Sequence, residues 1–460
     1  MISPTLRQGL GPIDGAAIVV SNVIGSGIFI VPVIVAASVP NAWAMLGVWL
    51  AGGLLAFAGA MAYAELAALR PRAGGEYVYL REAFGPVAGF LTGWTSFIAG
   101  FSGAIAASAV GLAGYLARFL PAAGDTTPIF EVPLVLMSLT VSPQAVVALS
   151  AIAILSAVHI LGLGPGRVVQ NLLAGIKIAL LVGFVVLGFG FGQGATTNFS
   201  VSGTTVMPSN WVLALIPVMF AYSGWNAAAY LAEEMRDPGR NVPLALGIGT
   251  VIVVVIYLLL NMLYIYAIPV TAFVNVGENV ADATAVRLFG DALAAPIAAA
   301  SVVMIAASIS AMVLAGPRVY YAMAQDGLFF AAGAKVHPKF RTPIIAIVAQ
   351  SAWAGLLVLS GTFQQLVDYT GFAVVLFSGV AVAALFVLRF RQPTAHRPYK
   401  AWGYPAAPMV FVVASAAMVV NAIWRNPGPS AAGLLVIGAG VPLYLLFRWR
   451  ADHRHEPMHP

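Results

Sequence analysis

The chain has 460 residues, of which 61% are hydrophobic and only 8% charged, against roughly 25% charged in an ordinary soluble domain. A surface that poor in charge cannot be kept in water, so lipid must solvate most of it and a soluble globular class is excluded. The absence of cysteine excludes disulfides, thiolate catalysis and Cys-ligated metals, and the net charge of +6 comes from basic residues in short loops between apolar runs, which argues for membrane topology and against a nucleic-acid-binding face.

The first fifteen residues carry one Arg and no small-residue cleavage site, and they read as no removable signal peptide. Apolar runs of membrane-crossing length then follow at 13–37, 43–68, 85–117, 143–162, 167–192 and 208–232. Six more lie at 241–268, 291–318, 342–361, 365–388, 406–424 and 429–447, giving an expected twelve spans in an all-α polytopic membrane protein. An even count puts both termini on one side. With that side cytoplasmic, eighteen of the twenty-two Lys and Arg face the cytoplasm; only Arg118, Arg287 and Arg425 face outward, and Lys177 falls within a span. The positive-inside rule therefore selects this orientation, in a bacterial inner membrane.

The first run carries Gly25-Ser26-Gly27 at its centre and Pro32 beyond it. Each glycine costs a helix about 1 kcal/mol relative to alanine, so the span is expected to break there. The sixth run has a counterpart in Pro217 and Ser223-Gly224. These runs are five spans apart, an odd offset that points the second copy the opposite way through the membrane, the mark of an inverted repeat with a midplane site. Irregular backbone at that depth persists where it lines a cavity. A half-helix starting after Gly25 would offer amides and a partial positive charge to a carboxylate. Carbonyls freed at Val23, Ile24, Phe220 and Ala221 would accept from an ammonium group. Close packing through small residues is the alternative reading of the same glycines.

Several stretches resemble one family. Asn22-Val-Ile-Gly-Ser-Gly-Ile-Phe-Ile-Val-Pro32 is similar to a first-helix signature of the amino acid–polyamine–organocation superfamily. Glu65-Leu66, Pro71, Gly74-Gly-Glu-Tyr77, Phe84-Gly85 and Gly93-Trp94 follow its pattern after helix two. Phe220-Ala-Tyr-Ser-Gly-Trp-Asn226, with Glu233-Glu234, Asp237-Pro238, Arg240-Asn241 and Pro243-Leu244, resembles helix six of its L-type amino acid transporter branch. Arg318, Tyr321-Ala322, Asp326-Gly327, Val336-His-Pro338, Thr342-Pro343, Arg397-Pro-Tyr-Lys400 and Trp402-Gly-Tyr-Pro405 extend the likeness over nearly the whole chain.

The resemblance implies a single LeuT-like domain over 1–460. Repeat one would cover 13–192, repeat two 208–388, helices eleven and twelve 406–447, and a cytoplasmic tail 448–460. It implies that Val23, Ile24, Gly25, Ser26, Gly27 and Ile28 hold the head group of an amino acid, with Ala221 and Gly224 across from them. Phe220 would close over the substrate from outside, and Ser223 and Asn226 would shape the side-chain pocket. L-type carriers of large substrates commonly have Gly where Ser223 stands, so a small neutral substrate is expected. Animal L-type carriers join a glycoprotein subunit through a Cys that this chain lacks, so no disulfide-linked partner is expected.

Lys177 lies mid-span, where an unpaired ammonium costs at least about 2.5–3.5 kcal/mol. In the resemblance it occupies the place of an ion in sodium-driven relatives and ties helix five to the unwound part of helix one. It would serve there as a structural substitute for the ion or as the carrier of a coupling proton. Tyr257 in helix seven is its candidate polar neighbour. Glu65 and Glu233-Glu234, the latter beside Arg236 and Arg240, read as inner-gate or loop ion pairs. Asp368 reads as solvated, and His159 as a polar core contact. The tail histidines His453, His455 and His459 lie beyond the last span, and no catalytic set, metal site or cofactor is expected near the midplane. The rings of like polar residues that a channel needs are not found. Exchange of small neutral L-amino acids by alternating access is thus the expected activity. Proton-coupled symport remains open, as does exchange of cationic amino acids or polyamines, the latter disfavoured because Asn226 stands where an acidic pocket residue would be needed.

Overall fold

The computed structural model describes residues 6–25, 27–133, 138–200, 206–276, 280–290, 294–360, 363–425 and 427–453. Ser26, His455 and His459, and the side chains of Asp368 and His453, lie outside that description. The chain starts with α1 (Pro12–Val23) and α2 (Gly27–Ser38), then α3 (Ala42–Leu69) and the short connecting helix α4 (Glu76–Phe84). α5 (Pro86–Thr95) runs through a π-helical turn at Ser96–Gly100 into α6 (Phe101–Leu116). Two strands, β1 (Phe130–Pro133) and β2 (Ser138–Val141), pair antiparallel with Phe130 opposite Val141. They lie in a stretch for which no strand is expected from the sequence. α7 (Pro143–Ile160), α8 (Leu163–Phe191), α9 (Pro208–Ala221), α10 (Ala227–Tyr230) and α11 (Pro238–Ala267) follow. The rest comprises α12 (Val280–Phe289), α13 (Ala294–Ala315), α14 (Pro317–Gln325), α15 (Ile344–Ser360), α16 (Phe363–Arg391), α17 (Ala406–Arg425), α18 (Pro427–Gly438) and α19 (Gly440–His453).

Among the described residues, nine helices are long and apolar enough to cross a membrane, and ten if α1 and α2 form one span bent by 48°. Helices stand at all twelve expected places, but α9, cut at Ala221, and the 17-residue α15 are shorter than a crossing helix. Lipid as solvent explains the surface: Leu54 on α3, Val255 on α11, Val420 on α17 and Leu435 on α18 are exposed large apolar side chains. A helix buried on one stripe and apolar on the other is stable only where both sides are non-aqueous.

The interior is organised around the first helix. α1 lies against α8, α11 and α13, and α3 runs along α11. Trp49, Tyr222 and Tyr257 interlock there, with ring centroids 5.5 Å apart for Trp49–Tyr257 and 5.0 Å for Tyr222–Tyr257. The end of the bundle that carries the basic loops is fastened by buried charge. Glu65 is fully buried and takes Arg389 through both oxygens, at 2.9 and 2.5 Å, as well as the Ala401 amide at 2.6 Å. Glu234 pairs with Arg318 on α14, at 2.7 and 3.1 Å. Glu234 is thus held in an ion pair, as read from the sequence, and its partner comes from α14 and not from the neighbouring Arg236 or Arg240. Glu233 instead accepts from the Ala73 amide at 3.0 Å. The carbonyl of Glu234 also receives the amides of Gly9 and Leu10, at 2.9 and 3.1 Å, which stitches the start of α1 to the end of the sixth segment.

A cavity between two broken helices

Both expected breaks are present. α1 ends at Val23, Ile24 is extended at φ −76° and ψ 90°, and helix resumes at Gly27. In the sixth run α9 stops at Ala221, and the chain passes through Ser223 and Gly224 before a single turn at Ala227–Tyr230. Gly224 sits at φ +98°, and a Cβ there would run into the Asn22 side chain. Asn22 Nδ2 donates to the Gly224 carbonyl at 3.4 Å. A Cβ on Gly27 would meet the Ala221 Cα at 3.0 Å. These two glycines therefore let the broken helices touch, backbone to backbone. Gly224→Ala should cost about 1–3 kcal/mol through backbone strain alone, with the clash adding to it. We expect a lowered melting temperature in detergent and loss of transport; unchanged values for both would show that the turn is not required.

Carbonyls released by a break need donors. Lys177 on α8, fully buried, donates to the Ser21 carbonyl at 3.0 Å, to the Ile24 carbonyl, and to Ser308 Oγ on α13 at 2.9 Å. Ser308 Oγ in turn donates to the Ile24 carbonyl at 2.8 Å. The Tyr257 hydroxyl lies 2.9 Å from both the Val23 and the Ala221 carbonyl, so one phenol on α11 joins the two breaks. The carbonyls expected to be open to a ligand are thus already engaged. Phe220 is no exception, since its carbonyl takes the Ser223 amide at 2.9 Å. The Ile24 carbonyl, taken by both Lys177 and Ser308, is saturated, whereas the Val23 and Ala221 carbonyls each keep a second lone pair beside the Tyr257 contact.

The breaks open onto a cavity of about 140 Å³, where a single water needs about 10–15 Å³ on the same measure. Val23, Gly25, Gly27, Phe220, Ala221, Ser223, Gly224 and Asn226 are on its wall, as expected. Ile24 and Ile28 are not; both are fully buried, turned into the packing behind the break. Lys177 and Tyr257 stand behind the wall and brace it. Helices three, eight and ten, which the sequence reading left out of the site, contribute Thr92, Thr95 and Ser96, Ser308 and Met312, and Phe377 and Ser378. Among the described residues, Asn22 Oδ1, Thr92 Oγ1 and Thr95 Oγ1 are buried polar atoms of this wall with no protein partner, and buried polar groups without partners call for a ligand or water. A signal for helix three was present, because Thr92, Thr95 and Ser96 fall at i, i+3 and i+4 in an apolar run.

Glu76 is the missed residue of greatest consequence. It starts α4, is 8% exposed, and belongs to the cavity wall beside Asn226. The expectation of a pocket without a carboxylate is therefore corrected. The motif Gly74-Gly75-Glu76 reads as a loop in sequence, and only the fold brings it under the sixth break.

Helices broken at mid-length around a small cavity that carries several hydroxyl, amide and carboxyl groups inside an apolar bundle define a membrane transporter of small solutes. The chain belongs to the amino acid permease family, whose profile matches residues 10–447. It is 30% identical over 442 residues to the serine/threonine exchanger SteT of Bacillus subtilis, covering 95% of this chain and 96% of the relative. Identity is 30% over 452 residues to the b(0,+)-type amino acid transporter 1 of Mus musculus, with 96% and 88% covered. It is 29% over 457 residues to the Asc-type amino acid transporter 1 of the same species, with 97% and 82% covered.

Proposed function

We propose that this chain exchanges small neutral L-amino acids across the bacterial inner membrane by alternating access, with both termini in the cytoplasm and helices 13–192 and 208–388 acting as inverted repeats. The observation that carries the reading is the convergence of two helix breaks on one cavity. The first turn of α2 presents the amides that follow Gly25 to an α-carboxylate, where the helix dipole favours negative charge. The spare lone pairs of the Val23 and Ala221 carbonyls receive the α-ammonium. A zwitterion is thereby bound at both ends without a charged side chain, leaving its side chain toward Ser223 and Asn226. Phe220, partly buried on the wall, closes the outer side. Serine and threonine, named for the Bacillus subtilis relative, are of a size and polarity that suit a wall rich in hydroxyls.

Lys177 holds the first break in its bent form in place of a coupling ion, and Tyr257 keeps the two breaks in register. Saturable uptake of labelled L-alanine into proteoliposomes, inhibited by unlabelled L-serine and not by D-alanine, is the expected result. Uptake that does not saturate, or that ignores stereochemistry, contradicts the proposal. Ser223→Gly should enlarge the pocket and raise leucine relative to alanine transport by about tenfold, the worth of one or two methylenes in a pocket. An unchanged ratio would place Ser223 outside the selectivity filter. Glu76 on the wall favours a second reading, exchange of cationic amino acids, and lysine and arginine as competitors in the same assay separate the two.

A further inference from the structure

Glu76 differs from the other buried carboxylates in its surroundings. Glu65 and Glu234, both fully buried, each face an Arg. Glu76 faces phenols and an amide: Tyr63 Oη on α3 donates to Oε1 at 2.5 Å, and Asn226 Nδ2 donates to the same oxygen at 2.7 Å. Asn226 also reaches Tyr230 Oη at 3.1 Å, and Tyr79 is the further ionisable neighbour on α4 itself. The cations on the elements packed against α4 are committed elsewhere. Arg318 is bidentate to Glu234, Arg389 holds Glu65, Arg391 donates to the Ala83 carbonyl, and Arg81 pairs with Asp326. α5 carries no ionisable residue. Among the described residues, no Lys, Arg or His forms an ion pair with Glu76.

The chain is shaped to bring this carboxyl there. Gly74 and Gly75 take φ of +109° and +48°, and a Cβ on Gly75 would meet the Tyr230 ring at 2.5 Å. The double glycine lets the first residue of α4 press against the sixth segment. Glu76 thereby connects the loop after helix two to Asn226, which lies two residues past Gly224 and caps the turn at Ala227–Tyr230.

We propose that Glu76 is a proton-binding site of the transport cycle, protonated while Tyr63, Asn226 and Tyr230 enclose it and ionised when the sixth segment moves away and water enters. The proposal rests on the exchange reading above. A carboxylate without a counter-charge is costly in a dry site, whereas the acid form is neutral and keeps an O–H donor. Opening toward the cytoplasm hydrates the group, which releases its proton to water. Reclosure takes one proton back and restores the contact to Asn226. Burial raises the pKa of Glu76 above the usual carboxylate range, against the hydrogen bonds from Tyr63, Tyr230 and Asn226, which lower it. For an acid raised by enclosure, the enclosed form is fully favoured below the ordinary carboxylate range and loses that advantage as pH rises through the raised value.

The test is exchange of labelled L-alanine at equal internal and external pH, from about pH 5 to about pH 8, a range that begins above the ordinary carboxylate value. Wild-type exchange should fall as pH rises, by up to about tenfold per unit once the acid titrates, and Glu76→Gln should be flat. Tyr63→Phe removes a donor that favours the ionised form, so its fall should move to higher pH. An infrared difference spectrum, wild type minus Glu76→Gln in lipid at neutral pH, should contain the C=O stretch of a protonated carboxyl. That readout does not depend on transport, so it decides the proton site even if alanine is not exchanged at all. Absence of the band overturns the proposal. So does a wild-type pH profile retained in Glu76→Gln, including the case where that variant loses only lysine and arginine exchange and Glu76 proves to be a side-chain counter-ion.

Discussion

Lys177→Ala should reduce amino acid exchange by on the order of 10–100-fold while leaving the protein folded enough to purify. The ammonium fills the space between the Ser21 and Ile24 carbonyls and Ser308. Removing it leaves the Ser21 carbonyl without that donor and the Ile24 carbonyl with Ser308 alone. A buried acceptor stripped of its partner costs about 1–3 kcal/mol, and each 1.36 kcal/mol is a factor of ten. The first helix relieves that cost by straightening or shifting, either of which spoils the break. Lys177→Met, which keeps most of the volume, should fail equally, and that separates lost charge from lost packing. Exchange near the wild-type rate in either variant would remove Lys177 from the mechanism.

Arg318→Ala should be the most damaging single change to stability. Its guanidinium is fully buried, bidentate to Glu234, and also donates to the Leu314 carbonyl at 2.6 Å. Truncating one partner of a buried pair typically costs about 3–5 kcal/mol because the remaining charge is stranded. Glu234 would also lose its grip on the register that presents its carbonyl to Gly9 and Leu10. The expected readout is a large fall in melting temperature and in yield. The double variant Arg318→Met with Glu234→Leu should recover much of the loss, since replacing both charges with apolar groups is often neutral. A double variant as unstable as the single one would mean that the pair acts through specific hydrogen bonds and not through stranded charge.

Much of the fold is legible in one dimension because lipid imposes length and composition on every crossing helix. The limits of α3, α11 and α17 fall within a few residues of the apolar runs 43–68, 241–268 and 406–424. The breaks are legible too, since the glycines of both runs mark them, and at Gly27 and Gly224 the missing Cβ is what permits the contact. Lys177 is conspicuous for the opposite reason, a charge with no permissible solvent.

The rest of the site depends on which turns come together, and that is not written locally. Glu76 precedes an ordinary amphipathic turn, and its burial follows from Gly75 meeting Tyr230, a residue 155 positions away in the chain. Glu234 is flanked in sequence by Glu233, Arg236 and Arg240, so proximity suggests the wrong partner, whereas Arg318 lies 84 positions away. Thr92 and Thr95 are small polar residues in an apolar helix, where backbone-satisfied hydroxyls are common, and only the cavity distinguishes them.

The most direct test of the account is trans-stimulation: uptake of labelled L-alanine into proteoliposomes preloaded with unlabelled L-alanine or L-serine, set against empty vesicles. Exchange through two converging helix breaks predicts rapid uptake into loaded vesicles and almost none into empty ones. Equal uptake into both would contradict it.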